Sequence, residues 1–179
     1  MESKTDKSEI DEAANIANDL RCLDEIIRHI QNVQENCIVL GRRLMERGET
    51  FLGRTLIQNG FKHDASKFIG SEWDYMKSTN IKKMTKEQKL GLKISISDHN
   101  RSNEHHPEYW GHIKNVRDVF LAEMVCDWKA RSGEFGTSLY DWVNEEAMKR
   151  FEFKKDDEVY KKIKYFIEIL CNKTFEEIK

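Results

Sequence analysis

One proline and nine glycines among 179 residues leave little material for the turn-rich connections of a β-sandwich or barrel, so the balance points to a helix-rich, soluble fold. One-signed charge is also missing. Thirty basic residues stand against 32 acidic ones, with a formal net charge of −2 and no long block of either sign, which removes the usual footprint of an extended nucleic-acid surface. No apolar run reaches spanning length, and Met1 to Lys7 lacks the apolar core of a signal peptide, so neither membrane insertion nor secretion is expected. The four cysteines, Cys22, Cys37, Cys126 and Cys171, form no CxxC pair and no regular disulfide spacing. They read as reduced thiols packed in a cytoplasmic protein.

Length and composition suit one domain with a real core. The expectation is a loose N-terminus over 1–7 and a compact all-α bundle over 8–179, with 138–179 forming C-terminal helices packed on the core. From Ile16 through Leu20, Leu23, Ile27, Ile30, Val33, Cys37, Leu40 and Leu44, apolar residues recur every three or four positions, predicting a long helix with at most one break. Gly48 is the expected stop for it. A short helix follows from Phe51 and ends near Asn59-Gly60. Thr85 to Gln88 matches a capping box and opens a helix to about Ser97, after which Asp98 to His106 reads as a polar loop. Pro107 would then begin a long helix through Trp110, Phe120, Met124 and Trp128, with a turn at Arg131 to Gly136. Ser138 and Asp141 mark another start, and a last helix carries Val159, Ile163, Phe166, Ile167 and Leu170 inward.

Against that background the chemistry gathers at a few places. His63 and Asp64 are adjacent, Lys67 and Glu72 follow closely, His29 lies beside the apolar stripe of the first helix, and His105-His106 precede Pro107. Asp127 sits in the apolar run Met124 to Trp128, about 20° from Phe120 at the helical repeat. A carboxylate on an apolar face needs a cation or donors to satisfy it, and either a metal or Arg131 four residues on would serve. Imidazoles with carboxylates are the ligand set of divalent metals, and one or two ions of manganese, iron, zinc, magnesium, cobalt or nickel would fit the donors. His99, His105 and His106 supply further ligands or phosphate donors. Each residue also has an ordinary reading: a lone histidine packs in a core, and Tyr109, Trp110, Trp128 and Trp142 at helical spacing are more often core than ligand cradle.

The order histidine, adjacent His-Asp, distant aspartate resembles the HD-domain superfamily, all-helical metal-dependent phosphohydrolases. The strings His63-Asp64-Ala65-Ser66-Lys67-Phe68, His105-His106-Pro107-Glu108-Tyr109-Trp110 and Glu123-Met124-Val125-Cys126-Asp127-Trp128 resemble a bacterial and phage branch of it. The resemblance implies an HD-like bundle in which His29, His63, Asp64 and Asp127 hold a metal, with His105 or His106 placed for a second. It implies hydrolysis of a nucleotide or other small phosphate ester by a metal-activated water. Lys67 and Arg101, with His105 and His106, would hold the phosphate. Asp64 and Lys67 would belong to the catalytic set, and Glu72 would position or deprotonate the water. The alternatives are an HD-like module that binds a ligand or protein without turnover, and a di-iron oxygenase. A homodimer fits the size class.

Overall fold

The computed structural model describes residues 4–76 and 84–179, and every regular element among them is helical. Helix α1 spans Lys4–Glu46, α2 Thr50–Gly60, α3 Gly70–Met76, α4 Lys86–Ser102, α5 Asp118–Phe135, α6 Leu139–Asp141, α7 Met148–Arg150 and α8 Glu158–Cys171. The chain forms two compact units, one built from residues up to Arg28 with Ala65–His99, the other from His29–Asp64 with Asn100–Lys179. The protein is all-α. Helix α1 runs without a break, and residues 4–7 of the stretch expected to be loose already belong to it.

In the second unit the periodic stripe does what its spacing requires. Val33, Cys37, Leu40 and Leu44 of α1, Leu56 of α2, Val125 and Cys126 of α5, and Ile163 and Ile167 of α8 are all fully buried. Each large aliphatic side chain so placed contributes roughly 1.5–3 kcal/mol of transfer free energy. Trp128 is core, and Trp142, half-buried, packs edge to face against it with ring centroids 6.0 Å apart. Helices α1 and α2 approach backbone to backbone. A Cβ on Gly41 would lie 2.7 Å from the carbonyl oxygen of Gly53, and one on Gly60 would lie 2.7 Å from Cys37 Cβ, so only glycine permits this crossing. Arg43 closes the far end by donating to the carbonyls of Ile169 and Leu170 at 2.8 and 2.7 Å, the last turn of α8.

Local signals set several ends. Thr85 and Gln88 form the reciprocal pair of a capping box, with N–H to oxygen distances of 2.9 and 3.2 Å. Ser138 Oγ accepts the Asp141 N–H at 3.1 Å. Three boundaries differ from the sequence reading. Helix α4 continues through Asp98 to Ser102, so only Asn103–His106 is left of the expected loop. Pro107 opens a short 3-10 turn, Pro107–Trp110, followed by a second at Ile113–Asn115, and α5 starts only at Asp118. Gly111 at φ 74° breaks the run that composition would have joined. At the other end α5 absorbs the expected turn at Arg131, continuing to Phe135 before Gly136 adopts φ 63°. That extension puts Glu134 on the helix.

Candidate metal centre

Three elements of the second unit deliver the donors. His29, fully buried, stands one turn before Val33 on α1, so the stripe that makes the core also carries the imidazole inward. After α2 ends at Gly60, His63 and Asp64 follow, and Asp64 takes φ 55°, a left-handed conformation uncommon outside glycine and the Asn/Asp group. Both side chains are buried, with His63 Nε2 3.5 Å from Asp64 Oδ2. On α5, Glu123, Asp127 and Glu134 are four and seven residues apart, within about 40° of one another around the axis.

Each imidazole is held from behind. His29 Nδ1 lies 3.0 and 3.2 Å from the two carboxylate oxygens of Glu134, which also accepts from Asn32 Nδ2 at 3.0 Å and pairs with Arg131 at 3.2 Å. His63 Nδ1 lies 3.0 Å from Glu123 Oε1, and Asn59 Nδ2 donates to the other oxygen at 3.1 Å. A carboxylate at Nδ1 places the imidazole proton there and leaves the Nε2 lone pair for a ligand bond. The Nε2 atoms then meet the aspartates: His29 lies 3.2 Å from Asp127 Oδ1 and 3.7 Å from Asp64 Oδ2, and His105 lies 3.4 Å from Asp64 Oδ1. Adjacent ligands of one ion at about 2.1 Å stand about 3.0–3.4 Å apart, so these separations are close to those of a coordination shell.

The donor set suits a cation. One ligand atom each from His29, His63 and Asp64 lies within 4.8 Å of the others; the same holds for His63, His105 and Asp127, and for Asp64, His105 and His106. His29 Nε2, His63 Nε2 and Asp127 Oδ1 are buried and make no hydrogen bond. Each such atom costs about 1–3 kcal/mol unless something satisfies it. Burial pushes the Asp127 carboxyl up, but the imidazoles of His29, 3.2 Å away, and His63 outweigh this and hold it well below the usual carboxylate range. Arg131 contributes less to Asp127: its Nε is 4.0 Å away, and its closer partner is Glu134.

Of the residues singled out from sequence, His29, His63, Asp64, Asp127, His105 and His106 converge here, with both neighbouring histidines included. Their rings lie 4.3 Å apart. Arg101 is exposed on the last turn of α4. Lys67 and Glu72 belong to the first unit, where Lys67 is buried in the 3-10 turn Ala65–Phe68 and Glu72 bonds His99 Nδ1 at 2.7 Å and Ser66 Oγ at 3.1 Å. Glu123 and Glu134 were not assigned from sequence. Their spacing from Asp127 on one helix face was the available signal, and for Glu134 the turn expected at Arg131 concealed it.

The fold and the centre together define an all-helical protein with a buried histidine–carboxylate cluster. The chain belongs to the family of unknown function DUF5662, whose model matches residues 18–173, a span that takes in every ligand candidate. No curated protein and no solved structure matches it. Among the described residues no helix is long and apolar enough to cross a membrane.

Proposed function

We propose that this protein is a metal-dependent phosphohydrolase of the HD type, acting on a small phosphate ester through a metal-activated water. The observation that supports it most is the meeting of His29, His63, Asp64 and Asp127 from three separate elements, with Nε2 lone pairs inward and Nδ1 atoms fixed by Glu123 and Glu134. A divalent ion held there supplies an acidified water and a Lewis acid for a phosphoryl oxygen. The chain's own contribution is to orient the imidazoles through Glu123 and Glu134 and to hold the Asp127 carboxylate ionised.

Elemental analysis of protein purified without added metal, followed by assay of the metal-loaded protein on a broad panel of phosphate mono- and diesters, tests the reading. Stoichiometric divalent metal and hydrolysis of some panel member are expected, and Asp64→Ala should lose both while keeping its helical circular dichroism. Absence of turnover across the panel would sink the hydrolase. The four histidines also suit iron. An oxygen-sensitive iron spectrum in anaerobically purified protein, without phosphatase activity, would favour the oxygenase alternative.

A further inference from the structure

Beside the histidine–carboxylate cluster, within the second unit, opens a cleft of about 200 Å³ whose inner wall is His63, Asp64 and His105. Ligand pockets for drug-sized molecules run to roughly 300–1,000 Å³, so this one accommodates a phosphoryl group and a few further heavy atoms. Among its described lining residues Phe120 alone is apolar. A purine or pyrimidine stacks on aromatic and apolar faces, and this cleft, already filled by a phosphoryl group and a few heavy atoms, offers one half-buried ring. The remaining wall is polar. Lys62, exposed and in no ion pair among the described residues, stands at the cleft next to His63, while Asn103 and Glu104 line it from beyond the end of α4. An ammonium suits a phosphate dianion as a compact point charge. An amide with a carboxylate suits hydroxyl groups, since the carboxylate accepts O–H hydrogens and the amide does either.

We infer that the cleft at Lys62 selects phosphomonoesters of sugars or short polyols, with Lys62 on the phosphate, Asn103 and Glu104 on hydroxyls and Phe120 against the carbon face. This rests on the phosphohydrolase reading but narrows it, placing recognition in the phosphate and sugar and none in a base. Lys62 thereby acts as a phosphate-binding cation additional to those named from sequence.

The test is titration calorimetry on the metal-loaded protein with ribose 5-phosphate, a nucleoside 5′-monophosphate and inorganic phosphate, beside turnover of the two esters. Ribose 5-phosphate should bind, and be hydrolysed in kcat/KM terms, about tenfold better than the nucleotide. Lys62→Met should weaken ribose 5-phosphate and inorganic phosphate about tenfold with metal content unchanged, because the side chain is exposed and supports no packing. Nucleotide binding equal to or tighter than that of ribose 5-phosphate overturns the inference, as does a Lys62→Met variant that binds phosphate like the wild type. If neither ester is turned over, the binding order still decides the selectivity of the cleft, while the hydrolase reading stands or falls with the broad panel.

Discussion

Glu123 serves two imidazoles with one oxygen: Oε1 lies 3.0 Å from His63 Nδ1 and 3.5 Å from His105 Nδ1. Residues that hold a ligand histidine from behind typically affect metal affinity by about 10–100-fold. Glu123→Gln should therefore weaken metal binding by about that factor while leaving helical content unchanged, measured by competition with a chromophoric chelator. A variant with wild-type affinity would show that His63 needs no anchor. Glu123 was in plain view within the string that carries Asp127, yet its role depends on His63, 60 residues away, and spacing along one helix cannot reveal a partner on another. His29 and Asp64 were legible because adjacency and periodicity are local. The left-handed backbone of Asp64 was not, since nothing in its neighbours' identity demands it.

Helix crossings and ends carry the next level. The α1–α2 contact requires Gly53, where an added Cβ would collide with the Gly41 carbonyl and come within 2.7 Å of Met45 Cγ. Alanine in a helix interior gains about 0.5–1 kcal/mol over glycine, whereas overpacking costs about 1–3 kcal/mol. The clash with backbone should win, and Gly53→Ala is expected to lower the denaturation midpoint. At the start of α8, the Lys154 backbone N–H and then the Lys114 ammonium hold the Asp157 carboxyl below its ordinary value. Because the folded value is the lower one, this contribution is complete above the unfolded value, about 3.9, and is lost as pH falls through the folded one. Asp157→Asn should be less stable than wild type at neutral pH, with the gap closing in acid; a gap independent of pH would exclude the charge as its cause. The helices themselves were readable from apolar spacing and the capping box at Thr85. Their ends near His105 and Arg131 were not, because Gly111 and Gly136 stop helices only where the backbone takes positive φ.

For the folded chain as one thermodynamic object, the cluster is a liability that the proposed cation would reverse. Buried lone pairs on His29, His63 and Asp127 oppose folding in the apo protein, while an ion that binds only the folded state stabilises it by about 2.7 kcal/mol at a hundred times Kd. Removal of metal by a chelator, followed by thermal denaturation, should lower Tm by roughly 5–10 °C, and readdition should restore it. An unchanged Tm would argue that these atoms are satisfied in some other way.

Helical class, the core stripe of α1 and the identity of the main ligand candidates follow from the chain's own order of residues, because side-chain periodicity and the affinity of imidazole and carboxylate for cations are properties of neighbours and of chemistry. That His29 leans on Glu134, 105 residues on, that both His105 and His106 face Asp64, and that Lys62 borders a small polar cleft are matters of packing. Contacts between distant segments form only when the core brings helices together, and no local pattern records them.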